Sequence, residues 1–135
     1  MTVKIYRSIS LAMTVIFIIV GGIFLFLPEL VIEFFNNLSI YFGLEKLRAT
    51  VDNLYIVLSV SYMYLVSIIA YSMYKKPEEK IYPILLAHAK LASSILSLYF
   101  VFTRGYYLIY IVNFIVDGLI GLLALYLYCI KEFVK

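Results

Sequence analysis

The sequence predicts an all-α membrane protein: an antiparallel bundle of four transmembrane helices, plus one amphipathic interfacial helix between spans one and two. Three observations carry this. The 135 residues are 65% hydrophobic with a mean hydropathy of +1.04, and only 14% are charged, against about 25% in a soluble domain. Four apolar stretches are each long enough to cross a hydrocarbon layer of about 30 Å, which takes roughly 20 helical residues. The apolar runs are continuous, whereas barrel strands need short alternating segments, so helices that satisfy their own backbone are the only spanning structures left.

The first span is read over Ser8–Leu27. Lys4 and Arg7 before it give it the look of a signal peptide. The stretch is longer than a typical signal core, however, and no small-x-small cleavage site follows, so the reading is a retained span. Within it Ser10, Thr14, Phe17 and Gly21 form a narrow stripe expected to contact another helix.

A longer connection follows, from Pro28 to Asn53. At about 100° per residue, Leu30, Val31, Phe34, Phe35, Leu38, Tyr41 and Phe42 fall on one face of a helix over Glu29–Phe42. Glu33, Asn36, Asn37 and Ser39 fall opposite, with Ile32 and Ile40 as exceptions. Pro28 suits the start of this helix and Gly43 its end. It is expected to lie flat in the interface with Phe34 and Phe35 buried and Asn36 and Asn37 wet, either capping the bundle or covering a cavity. Its polar face has no Lys or Arg, which argues against docking on anionic lipid.

The second span, Leu54–Tyr74, begins next to Arg48 and Asp52, a candidate structural ion pair at i,i+4 spacing. The third, Tyr82–Thr103, is separated from it by the turn Lys75–Lys80, and the fourth, Tyr106–Ile130, follows Arg104-Gly105. Connections this short force neighbouring helices to run antiparallel. Length and pattern give one transmembrane domain over residues 1–135, with neither internal repeat nor low-complexity segment. Fourteen tyrosines and no tryptophan assign the interfacial aromatic role to tyrosine.

Orientation follows from the basic residues. Lys4, Arg7, Lys75, Lys76, Lys80, Lys131 and Lys135 fall on one side, against Lys46, Arg48 and Arg104 on the other. The positive-inside rule then puts both termini in the cytoplasm, in the cell membrane, with the amphipathic helix outside. The net charge of +3 is spread over ends and loops, which gives no support to nucleic-acid binding. The lone Cys129 cannot form an internal disulfide, and no Cys/His spacing suits a metal, so no cofactor is expected.

Ionisable groups inside spans are costly and need a reason. Lys90 in span three lies roughly 12 Å from the inner boundary, and Asp117 in span four about 14 Å from it, so antiparallel neighbours place them near one level. Tyr106, Tyr110, Asn113, Asp117, Gly121, Ala124 and Tyr128 share one face of span four, and Lys90, Ser94, Ser97 and Arg104 form a stripe on span three. Two polar stripes on adjacent helices should face each other, so a Lys90–Asp117 ion pair is expected, either as scaffolding or as a site. The candidate ligand-binding residues are Lys90, Asp117, Asn113, Tyr110 and His88. His88 lies about 200° from Lys90 around the helix, which keeps it from sharing one pocket with that lysine.

The first span ending in Leu27-Pro28, the amphipathic stretch, Gly43-Leu44 followed by Leu47-Arg48-Ala49, and Asp117-Gly118 give a layout that resembles the DoxX-like group of four-helix membrane proteins. The resemblance covers most of the chain in layout and a handful of residues in identity. It implies an association with quinone-linked redox complexes. From the residues themselves, no nucleophile–base pair, metal spacing or phosphate loop appears. That points to a non-enzymatic accessory subunit or binding protein of a membrane complex. The alternative is a small transporter or a lipophilic-ligand, quinone-like binding protein built around Lys90 and Asp117. The expected partners are the lipid bilayer, another membrane protein or a second copy, and a lipophilic small molecule.

Overall fold

The computed structural model describes residues 3–47 and 53–130. The chain is all-helical: α1 (Val3–Phe26), α2 (Pro28–Tyr41), α3 (Asn53–Lys75), α4 (Ile81–Arg104) and α5 (Leu108–Ile130). The helices α1, α3, α4 and α5 are each long and apolar enough to cross a membrane. Their ends fall within two residues of the sequence reading, except that α1 begins five residues before Ser8 and extends through Lys4 and Arg7.

Packing is closest within two pairs, α1 with α3 and α4 with α5, and α3 joins α4 to bring the pairs together. Glycines set the close approaches. A Cβ on Gly121 of α5 would stand 2.8 Å from Leu91 Cγ and 3.1 Å from the Leu91 backbone nitrogen on α4. A Cβ on Gly21 of α1 would stand 3.1 Å from Met63 Cβ on α3. The stripe of Ser10, Thr14, Phe17 and Gly21 on α1 is buried as a whole. Its hydroxyls donate back to their own helix, Ser10 to the Tyr6 carbonyl at 2.9 Å and Thr14 to that of Ser10 at 2.8 Å, so they enter the contact already satisfied.

The core is thin and runs along the four long helices, with Phe17, Val66, Ala70, Met73, Leu86, Ala124 and Leu127 at its centre. Outside it stands a surface of large apolar side chains, among them Ile18, Ile95, Phe102 and Leu119, each more than half exposed. Water solvates such a surface poorly and hydrocarbon accepts it.

Helix α2 packs on α1 and α5. It ends in a Schellman motif: Gly43 takes φ +64°, its N–H donates to the Ile40 carbonyl at 3.2 Å, and the Leu44 N–H reaches back to that of Ser39 at 3.0 Å. Beyond this turn Asn36 holds the chain by two bonds, Nδ2 to the Leu47 carbonyl at 3.1 Å and Oδ1 from the Leu47 N–H at 2.8 Å. A single bridge pairs Glu45 with Tyr107 at the threshold of α5.

Within the protein α2 turns Leu30, Val31, Phe34 and Phe35 of its apolar face to α1 and α5, and it departs from the sequence pattern at Ser39. Phe34 is 60% exposed while Ser39, assigned to the polar face, is 2% exposed. Ser39 tolerates burial because its hydroxyl donates to the Phe35 carbonyl at 2.8 Å. Asn36 is half-buried by its bonds to Leu47. Hydrophobic periodicity sorts residues by polarity, and here two local hydrogen-bonding arrangements let polar side chains face protein instead.

Candidate functional site

The polar centre of the molecule lies where α4 meets α5. Lys90 Nζ donates to Asp117 Oδ1 at 2.9 Å, with the two side chains 3% and 8% exposed. The other pair of helices supplies the rest of the shell. The ammonium stands 4.7 Å from the centroid of the Phe17 ring on α1 and 5.2 Å from that of Tyr62 on α3. Both ring faces offer negative charge to a cation in a place where water is excluded. Tyr62 is fixed in turn by its hydroxyl, which donates to the Ala89 carbonyl at 3.0 Å, next to Lys90 on α4. One charge pair thus draws a side chain from each of the four long helices. The carboxylate neutralises the amine.

Toward the start of α5 the polar character continues for one turn. Asn113 Nδ2 donates to Ser97 Oγ at 2.6 Å and lies 3.3 Å from Ser93 Oγ, both on α4. Ser94 donates to the Phe114 carbonyl at 2.8 Å, in the space that the missing side chain of Gly118 leaves open: a Cβ there would stand 3.0 Å from Ser94 Oγ.

Asn113 also faces a cleft of about 400 Å³ between α1, α2 and α5. Val20, Ile23 and Phe24 of α1, with Leu27 just beyond it, form one wall, and Leu30, Val31, Phe34 and Phe35 form the α2 wall. On α5 it is bounded by Ile109, Val112, Asn113 and Val116. Among the described residues Asn113 is the one polar side chain in this lining, and Val116 is the neighbour of Asp117. The volume falls in the range of small-molecule sites, and an apolar wall with one placed polar group is their usual make-up.

The chain matches no family model, no curated protein and no solved structure. The site must therefore be read from its own chemistry.

Of the residues singled out in the sequence, Lys90, Asp117 and Asn113 are brought into one connected region. Tyr110 stands apart. Its ring packs at 5.6 Å from Phe100 and 5.8 Å from Tyr107, two helical turns from Asp117. His88 does not join the group: it is exposed on α4, and its Nδ1 lies 2.8 Å from the Ile84 carbonyl of its own helix. The rotation of about 200° from Lys90 places it on the opposite side of α4. The Arg48–Asp52 pair lies outside the described residues.

Sequence reasoning passed over the two rings that flank Lys90, the contribution of Ser93, and the walls of the cleft, of which it named only a cavity under α2. Phe17 carried a signal, since it sits in the narrow stripe of α1. Ser93 stands one turn before Ser97, the spacing at which two hydroxyls reach one amide across a helix pair. The cleft had no such signal, because its walls are ordinary apolar residues from three helices. Chemically, this arrangement can hold a neutral apolar molecule and hydrogen-bond one group on it. Among the described residues no three His, Cys, Asp or Glu side chains gather in a way that could hold a metal ion.

Proposed function

We propose that this chain is an integral membrane protein that binds a lipophilic small molecule in the cleft between α1, α2 and α5. The observation that carries the reading is the cleft itself, an apolar space of about 400 Å³ with Asn113 as its polar point. In this reading α1, α3, α4 and α5 cross the cell membrane as an antiparallel bundle. The excess of Lys and Arg beside Val3, in the α3–α4 turn and after Ile130 puts both termini in the cytoplasm. Helix α2 then lies at the outer interface with Phe42 turned to hydrocarbon. The Lys90–Asp117 pair serves as the scaffold that fixes the four long helices around the cleft's inner end, since its charges already satisfy each other.

Native mass spectrometry of the purified chain released from lipid nanodiscs tests the binding reading. The unaltered chain should retain one lipophilic molecule of defined mass, and Val112→Phe with Val116→Trp, which fill the cleft, should release it. Equal retention of lipid by both forms would contradict the proposal.

A further inference from the structure

We infer that the molecule held in this cleft is a neutral lipid with a single hydroxyl as its head, and that Asn113 receives that hydroxyl. The inference rests on the binding reading above and narrows it to a chemical class.

The charge of the cleft comes first. None of its lining residues is ionisable among those described, and the buried cation of the bundle, Lys90, is engaged by Asp117 at 2.9 Å. A carboxylate or phosphate head would shed its hydration here and find no counter-charge. A hydroxyl sheds far less.

The geometry of Asn113 comes second. One end of its amide is taken by Ser97 and Ser93 across the α4–α5 contact, at 2.6 and 3.3 Å. Among the described residues its Oδ1 takes no hydrogen bond, and Asn113 lines the cleft. An amide offers a donor at one end and an acceptor at the other, with the same shape. A hydroxyl both donates and accepts, so it answers whichever end faces the cleft. An ether or ester oxygen only accepts.

Depth and size come third. Asn113 is the sixth residue of α5, so it lies roughly 8 Å along the helix from its first residue, Leu108. In the membrane this is below the headgroup layer. A zwitterionic or sugar head cannot be drawn to that depth at modest cost, whereas a hydroxyl is small enough to be buried with one hydrogen bond. The cleft volume of about 400 Å³ suits one branched or ring-bearing apolar body rather than a two-chain lipid.

The test uses the full chain in phosphatidylcholine nanodiscs and a photoreactive long-chain alcohol carrying a diazirine. Four competitors share one apolar body: the alcohol, its methyl ether, the parent hydrocarbon and the corresponding carboxylate. The alcohol should block labelling at about tenfold lower concentration than ether or hydrocarbon, the worth of one good hydrogen bond in an apolar site. The carboxylate should be the weakest. In Asn113→Leu the alcohol should fall to the level of the hydrocarbon, with hydrocarbon binding kept. A carboxylate that competes as well as the alcohol, or an alcohol preference that survives Asn113→Leu, overturns the hydroxyl assignment and leaves the cleft reading intact. Labelling that no competitor reduces overturns both. The order of the four competitors on the unaltered chain decides the question even where Asn113→Leu does not fold.

Discussion

Removing one member of the Lys90–Asp117 pair should destabilise the protein far more than removing both. The two charges are 2.9 Å apart in side chains that are 3% and 8% exposed. At an effective dielectric constant of about 20 their attraction is about 6 kcal/mol, most of it offset by the desolvation of both groups. Truncating one partner leaves the other's desolvation uncompensated, which costs about 3–5 kcal/mol. The two single variants need not be equal. Asp117→Leu leaves an ammonium that still faces Phe17 and Tyr62 at 4.7 and 5.2 Å. Lys90→Met leaves a carboxylate with no such faces. We therefore expect Lys90→Met to be the costlier change, and the double variant to lie within about 1–2 kcal/mol of the unaltered chain. Reversible unfolding in detergent–lipid micelles, analysed as a double-mutant cycle, reads the coupling directly, with an expected value of about 3 kcal/mol or more. Additive single effects, with no recovery in the double variant, would refute the reasoning.

Three further outcomes follow from the packing and the charge distribution. Gly121→Ala should destabilise by about 1–3 kcal/mol, because its Cβ would meet Leu91 Cγ at 2.8 Å; Gly22→Ala, with nothing within 4 Å, should be neutral or stabilise by about 0.5–1 kcal/mol in the same unfolding assay. Asn36→Ala removes both bonds to Leu47 and should cost about 1–3 kcal/mol, seen as faster hydrogen exchange over α2 and the following turn with α4 and α5 unchanged. In a Cys129→Ala background, Asn37→Cys should react with an impermeant thiol reagent in intact cells and Lys76→Cys only after permeabilisation; the opposite pattern would reverse the proposed orientation.

The four long helices were legible because an apolar run of more than twenty residues has few other uses, and their ends are marked by charge, proline and glycine. The meeting of Lys90 with Asp117 was legible for a related reason. Two costly groups at matched depth on helices joined by a short turn have each other as nearest remedy. The shell around them was less so, because Phe17 and Tyr62 come from helices whose register against α4 no periodicity records. Helix α2 was placed correctly in the chain, but the burial of Ser39 was not foreseen. Its polarity pattern is clear, but Asn36 is drawn inward by bonds to Leu47 that only the folded loop provides, and Ser39 tolerates burial because its own helix satisfies its hydroxyl at Phe35. The cleft was legible only as one of two readings of α2, a helix covering a cavity, and its walls were not. It is a space left by the way α2 sits across α1 and α5, and the residues around it would read the same if they were packed solid.

The claim that this space holds a lipophilic molecule is tested most directly by finding where such a molecule lies. The diazirine-bearing alcohol, activated in nanodiscs and mapped by peptide mass spectrometry, should mark Leu27, Val31, Val112 and Val116 at a stoichiometry near one per chain. Val112→Phe with Val116→Trp should abolish that labelling while leaving the outward faces of α3 and α4, such as Leu58 and Leu96, labelled at their background level. Marks spread evenly over every exposed apolar side chain, unchanged by filling the cleft, would show a molecule that is only dissolved in lipid and would contradict the account.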